Sequence, residues 1–515
     1  MGAPSAMTSP DAVLNGRKAG WFQNSAIVKL NLILLLSMIS SYATGFDGSM
    51  MSAATTTLPL RWPPQCDTER WAIGSAFINQ PFCAVACDYF GRRATLVGGA
   101  FLMLIGVALQ GGAQNTGMFI AARGLLGFGL AFNITAAPLL ILEVAYPTQR
   151  SPLVSVYNSL YSTGAVAAAW ITFGTFRMSN DWAWRIPSIL QAASSVIQLL
   201  LCWCIEESPR WLVAKDRIES AHALVTKYHA AGNPEDPIVA LEIAEIREAL
   251  RLETEAAKTT SYLTFFKTAG NRHRFFIILA VGFFSQWSGN GLISYYLTLI
   301  LDSIGYESEA TQTLINALLQ IWSLIWGVAF ALVVNRFGRR VMFITSTVGI
   351  LLVYIVWTAL EATYEKETEL NGQGSPGVAK GVLAMIFLYN FFFSIGWAPL
   401  QVTYVVEILP YNLRARGLVL YNLFVALALI FNQYVNPVGV TNSKWKYYVT
   451  YDVWLFVELV VVYFLFVETG GKSLEETAAL LDGEAITEKL QENAKQAAEE
   501  ITVHVFDEKR RQGEA

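Results

Sequence analysis

Twelve stretches of this chain are apolar over about the 20 residues that a helix needs to cross a lipid bilayer. They are 27–50, 71–87, 94–112, 117–142, 153–174, 185–205, 275–301, 311–334, 341–361, 380–406, 416–436 and 447–467. Lipid offers backbone N–H and C=O groups no water to bond, so only helices and closed barrels can span it. These runs are continuously apolar and too long for barrel strands, which leaves helices. Only 15% of the residues are charged and 54% are hydrophobic, against roughly a quarter charged in a soluble chain. The expected fold is therefore all-α and integral to the membrane. A net charge of −4 gives nucleic acid no purchase.

An even number of spans puts both termini on one side. Lys and Arg concentrate in the segments on the side of the termini, even with the long segment 206–274 set aside, and that bias marks the cytoplasmic face. The expected organisation is an N-terminal segment 1–26, a six-helix bundle 27–205, a linker 206–274, a second bundle 275–467 and a tail 468–515. In the linker, Leu241, Ile243, Ile246 and Leu250 alternate with charges at helical spacing, as in amphipathic helices lying under the membrane domain. Ser473 and Glu476 have the spacing of a capping box. Residues 365–379 read as an outer loop, and Asn436-Pro437 as the end of span eleven.

Five cysteines show no metal spacing. Cys83 and Cys87 lie one turn apart in an apolar run, as small packing residues do, and Cys66 stands alone. Asn133 and Thr135 match a glycosylation sequon but fall inside span four. Neither a phosphate-binding Gly-Lys-Ser/Thr loop nor a nucleophile–base set is present, so ATP-driven transport and catalysis have no support, and no cofactor or metal is called for.

Three short motifs occur twice, in the same order. Asp88-Tyr-Phe-Gly-Arg-Arg93 returns as Asn335-Arg-Phe-Gly-Arg-Arg340. Glu143 with Arg150 returns as Glu407 with Arg414. Glu206-Glu-Ser-Pro-Arg210 is echoed by Val467-Glu-Thr-Gly-Gly-Lys472. Each copy sits at the cytoplasmic end of the corresponding span. Two related six-helix halves around a midplane site is the architecture of alternating access. Asp88, Arg92, Arg93, Glu143, Arg150, Glu207, Arg339, Arg340, Glu407, Arg414 and Glu468 then read as a cytoplasmic gate, whose carboxylates and guanidinium groups pair across the halves when that side is closed.

With Gly45-Phe-Asp47, Arg123-Gly, Trp184-Arg185-Ile-Pro187, Glu207-Ser-Pro-Arg-Trp-Leu212, Gln286-Trp-Ser-Gly289 and Tyr295-Tyr296, these motifs resemble the sugar porter family of the major facilitator superfamily. The resemblance covers roughly residues 40–476. Gly45 to Met51, Gln286 to Leu297 and Pro399-Leu-Gln401 with Tyr404 are most similar to fungal lactose-permease-like members. It implies a sugar as substrate, protons as coupling ion, the plasma membrane as location and a monomer as working unit. The pocket departs from a hexose pocket: Ser285 stands where a first glutamine is usual, Asn290 replaces an asparagine at Gly291, Asn158 replaces a glutamine, and Val402 stands where a tryptophan stacks on the sugar. In span eleven the polar position falls on Val425, with Asn422 a turn earlier. A larger sugar, such as a disaccharide, would fit the space at Val402. Span two, 71–87 between Arg70 and Asp88, is at the lower limit for crossing.

A carboxylate in hydrocarbon is expensive and marks function. Asp47 in span one has Arg123 in span four as its cation, and the family pairs the two. Alternate protonation of Asp47 would then couple protons to sugar; the rival is a static ion pair. Asn158, Gln286, Asn290, Gln401 and Asn422 carry both donors and an acceptor, as sugar hydroxyls require, or they bridge helices. Trp397 either stacks on a sugar ring or packs between helices. Tyr295 and Tyr296 sit where the family closes its outer gate, or form an interfacial belt. Asp452 and Glu458 in span twelve have no assigned role, and snorkelling or helix contact is the expectation. Rival functions are a facilitative carrier, a carrier of a polyol or another metabolite, and a sugar sensor that binds without transport.

Overall fold

The fold is taken from a computed structural model, which describes residues 24–54, 82–178, 180–259, 261–470 and 481. The first part of span two, Cys66, Arg70 and the capping box at Ser473 lie outside the described residues. So does all of the tail beyond Gly470 except Leu481.

The helices of the first half are α1 (Ser25–Ala54), α2 (82–90), α3 (Arg92–Gly111), α4 (Thr116–Val144), α5 (Arg150–Thr175), α6 (Trp182–Leu190) and α7 (Ala192–Leu200). The linker holds α8 (Pro209–Ala214), α9 (Ile218–Tyr228), α10 (Pro237–Thr259) and α11 (Thr264–Lys267). The second half holds α12 (Ala269–Trp287), α13 (Asn290–Ser303), α14 (Glu309–Val333), α15 (Arg339–Asn371), α16 (Pro376–Ile395), α17 (Trp397–Ile408), α18 (Tyr411–Ser443) and α19 (Trp445–Leu465).

Among the described residues, 9 helices are long and apolar enough to cross a membrane. The other three expected spans have visible reasons for falling short. Span two lies mostly outside the described residues. Span five, α5, carries Ser, Thr, Asn and Tyr along its length. Span six is two short helices joined at Gln191, whose backbone stays helical (φ −56°, ψ −31°).

The packing repeats in the two halves. α1 lies along α5 as α12 lies along α18, and α3 lies along α4 as α15 lies along α16. α3 also packs on α6 and α7, where α15 packs on α19. The halves meet where α5 touches α14 and where α1 touches α13. Two pseudo-symmetric bundles follow, in the major facilitator arrangement. The linker helices close against one end of the first bundle, with Ile238, Val239 and Ile243 of α10 in the same buried cluster as Tyr146 and Ile205.

Two boundaries differ from expectation. The loop expected at 365–379 is mostly helix. α15 continues to Asn371, Gly372 ends it in the left-handed region (φ 75°), and Ser375 accepts from the Gly377 N–H to start α16. Pro437 does not end span eleven, since α18 runs on to Ser443. A proline removes the bond to the carbonyl four residues back. That carbonyl, Gln433 O, instead faces the Tyr296 hydroxyl of α13 at 3.4 Å. A neighbouring helix supplies the missing donor, which is how proline survives in membrane helices.

Candidate functional site

Asp47 is placed by a close helix crossing. A Cβ on Gly45 would meet the Tyr161 carbonyl of α5, and one on Gly164 would meet the Tyr42 carbonyl of α1. Only residues lacking a Cβ allow these backbones to approach so closely. Two residues beyond Gly45, the Asp47 carboxylate takes Arg123 Nη1 on Oδ1 at 2.5 Å and Nη2 on Oδ2 at 3.4 Å. Both residues are buried, Arg123 to 1% exposure. Gln191 Nε2 at the joint of span six donates to the same Oδ1 at 2.6 Å. Gln191 was not foreseen: a lone amide in an apolar run has no partner spacing to betray it.

Span seven breaks beside its amides, as the Ser288-Gly289 pair suggests. α12 ends at Trp287, Gly289 takes φ 95°, a conformation open to glycine, and α13 starts at Asn290. A second kink falls at Tyr296 (φ −126°, ψ 23°). The Asn290 carbonyl accepts from Ser294 at 3.0 Å, and the Gln286 amide lies 3.4 Å from Ser285 Oγ. Tyr421 of α18 links this strip to span ten. Its ring hydroxyl donates to the Gln401 carbonyl at 3.1 Å and reaches Ser285. Asn432 of α18 holds the Gln286 backbone carbonyl at 2.8 Å. Tyr296 is buried and donates to Gln433 at 2.8 Å, while Tyr295 is half-buried. Asn436 accepts from Tyr447 and Tyr451, each at 2.7 Å.

The structure thus joins Gln286 and Gln401 through Tyr421, and leaves other candidates apart. Asn158 and Asn422 are exposed on their helices. Trp397 is fully buried, as the packing alternative of its two readings expects. Phe284, Phe343 and Phe466 surround it at centroid distances of 6.2, 4.9 and 6.3 Å, and its N–H donates to Thr347 at 3.1 Å. A sugar would have to displace that cluster. Val402 is 53% exposed.

The duplicated motifs converge at the linker end. Arg92 Nε lies 2.9 Å from Glu143 Oε2, the same oxygen takes the Ser208 hydroxyl at 2.5 Å, and Arg92 Nη2 donates to Oε1 at 3.2 Å. In the second half Arg339 Nη2 lies 3.1 Å from Glu407, which takes Thr469 at 2.5 Å. Glu207 accepts the backbone N–H groups of Arg92 and Arg93, and Glu468 those of Arg339 and Arg340. Arg92 donates to the Cys87 carbonyl, and Arg339 to that of Val334. These bonds close within each half, where the sequence suggested pairing across the halves. The reason is local: Glu207 and Glu468 sit over the N-termini of the helices that carry the arginines, where free N–H groups favour an anion, and Glu143 and Glu407 take those arginines' side chains. Asp88 is 79% exposed with Arg92 at 3.5 Å. Arg150 donates to the Ala145 carbonyl, Arg340 to that of Tyr463, and Arg414 begins the second turn of α18.

In the linker, burial raises the Glu207 carboxyl above its ordinary range, against the pull of its backbone donors. Burial also acts on Glu206, but hydrogen bonds from Lys227 and Tyr228 at 2.7 Å outweigh it and hold that carboxyl below its ordinary range.

Residues 72–481 match the family described as "Sugar (and other) transporter". Among curated proteins, the chain is 30% identical over 389 residues to sugar transport protein 5 of Arabidopsis thaliana, covering 74% of each. It is 28% identical to high-affinity glucose transporter 1 of Candida albicans, over 87% of this chain and 85% of that one. It is 27% identical to the MFS-type transporter criB of Aspergillus cristatus, over 88% and 94%. Among solved structures, the inward-open xylose transporter XylE of E. coli superposes with a TM-score of 0.71 at 20% identity, over 88% of this chain and 99% of that one. The same protein, described as a proton:xylose symporter bound to 6-bromo-6-deoxy-D-glucose, gives 0.67 at 21%, over 89% and 99%.

Proposed function

The chain belongs to the sugar (and other) transporter family, and from that premise we propose that it imports a sugar by proton symport, with Asp47 as the proton site. The observation that carries this reading is the buried Asp47–Arg123 pair. A carboxylate that loses its charge no longer holds a buried guanidinium, and a buried cation without its partner is costly. Protonation of Asp47 therefore releases Arg123, and deprotonation recaptures it. Gln191 gives Asp47 Oδ1 a neutral donor that binds the charged form. The xylose symporter of similar fold supports coupling to protons.

The sugar would lie between the halves, against Gln286, Asn290 and Gln401, with Asn422 on α18 of the same half and Asn158 on α5 of the other. Tyr295 and Tyr296 would close the outer side. A disaccharide is favoured slightly over a hexose, because Val402 is small and exposed and Trp397 is buried. Residues 27–205 would rock against 275–467, with the paired arginines and carboxylates of each half framing the cytoplasmic gate. We place both termini in the cytoplasm, the protein in the plasma membrane, and a monomer as the working unit. The test is uptake of labelled lactose, cellobiose and glucose into transporter-deficient yeast, with and without a protonophore. Saturable uptake abolished by the protonophore supports symport, and uptake that ignores it removes the coupling. A carrier of a non-sugar metabolite is the second reading, favoured by the departures at Asn158 and Val402 from a hexose pocket; it predicts no uptake of the three sugars by protein present at the surface.

A further inference from the structure

Glu458 sits in the middle of α19 with 0% exposure, and neither carboxylate oxygen has a hydrogen-bond partner among the described residues. The other buried acids of the two bundles are engaged. Asp47 has Arg123 and Gln191, and Glu361 accepts from Ser303 at 2.7 Å. Tyr389 of α16 is the titratable group whose charge interacts with Glu458, and Ser288 also acts on its hydroxyl. α12, α15 and α18 also pack on α19. Of their titratable groups, Tyr354 faces Tyr389, Tyr451 and Asp452, and Tyr421 faces Gln401 and Ser285. On α19 itself Asp452 faces Thr358. No cation among the described residues faces Glu458.

A carboxylate in this place would be an uncompensated charge in low dielectric, and such groups neutralise instead. The neutral form is held by a bound proton. A group kept only for packing would be apolar, because a buried acid without partners contributes nothing that leucine does not. The location gives the acid something to respond to. Ser288 and Gly289 form the break in span seven. Trp454, one turn before Glu458, meets Trp287 and Phe284 edge to face, with ring centroids 5.2 and 5.7 Å away. Any bending at Gly289 moves Trp287 and Ser288, and with them the ring contact to Trp454 one turn from Glu458.

We propose that Glu458 is a second proton-binding site, in the C-terminal half, which releases its proton to water and takes one back as the span-seven break opens and closes. On release the O–H bond of the carboxyl breaks and the proton passes to water admitted past Ser288. The inference shares with the proposed function only the premise that the protein changes conformation during transport, and adds that this change bends span seven at Gly289.

The proton is the ligand, so the test needs no known sugar. Purified full-length protein in lipid vesicles is compared as wild type, Asp47→Asn, Glu458→Gln and Glu458→Leu. Infrared difference spectra between mildly acidic and mildly alkaline buffer report carboxylic-acid C=O stretches. The expected result is a protonated-carboxyl band that persists in Asp47→Asn and disappears in both Glu458 variants. Two variants are used so that misfolding of one, seen as aggregation on gel filtration, does not decide the matter. Asp47→Asn spectra recorded with and without glutamate-selective isotope labelling supply the assignment without any change at Glu458. A band set unchanged in the Glu458 variants, with no glutamate-labelled band, overturns the proposal. Protonophore-insensitive uptake with the Glu458 band intact would remove symport through Asp47 and leave this site standing.

Discussion

Glu143 stands to Arg92 as Glu407 stands to Arg339, each carboxylate bridging the arginine to a hydroxyl from the segment that follows its bundle: Ser208 in one half, Thr469 in the other. The two sites are copies, in separate halves, and partly screened by solvent. Glu143→Gln and Glu407→Gln should each cost about 2 kcal/mol, below the 3–5 of a fully buried pair, and the double variant should be additive. Thermal unfolding in detergent reads both. A double variant much worse or better than the sum would mean that the sites touch across the halves after all.

The crossing of α1 and α5 predicts a contrast between neighbours. Gly45→Ala places a methyl against the Tyr161 carbonyl, whereas Gly48→Ala meets only the Tyr161 hydroxyl at an ordinary 3.6 Å. The first should lose about 1–3 kcal/mol to overpacking and displace Asp47, so transport falls with it. The second should transport normally. Equal behaviour of the two, scored by uptake per molecule at the surface, would contradict the crossing.

The membrane spans were legible because lipid imposes one period and one length on every helix. Asp47 and Arg123 were legible because charge in an apolar run is conspicuous. What escaped depended on partners distant in sequence. Gln191 matters because span six delivers it to Asp47, and Tyr421 because span eleven carries it between Ser285 and Gln401. Asn432 and Gln433 matter because the break in span seven presents them with the Gln286 carbonyl and the Tyr296 hydroxyl. Trp397 could face a sugar or the core with the same helix pattern; only the three phenylalanines around it choose. Pro437 looked like a stop because the donor that excuses it, Tyr296, comes from another helix.

The linker is tied to span four through His229. Its Nδ1 lies 2.8 Å from Glu242 and its Nε2 3.0 Å from the Val144 carbonyl, so both ring nitrogens face acceptors. His229→Ala leaves Glu242 buried and alone, at a cost of about 3 kcal/mol. His229→Ala with Glu242→Leu should recover part of that loss. A double variant no more stable than His229→Ala would show that the pair is not the source.

Glu206 gives the linker a weak acid sensitivity. Its carboxyl is held below its unfolded value, so its contribution is complete above the ordinary glutamate range near about 4.3 and fades as the pH falls through the folded value. The pair is partly exposed, so the effect is under about 1 kcal/mol. Glu206→Gln should lower thermal stability slightly at neutral pH and leave it unchanged in strong acid. A difference that grows toward acid would reverse the sign and refute the assignment.

The most direct measurement of the central claim compares accumulation with exchange in Asp47→Asn, using the sugar that wild-type cells take up. An amide keeps the shape of the side chain but can neither bind nor release the proton. The variant should lose protonophore-sensitive accumulation while sugar counterflow across vesicles continues. Accumulation at wild-type levels by Asp47→Asn would contradict it and leave the Asp47–Arg123 pair a structural tie.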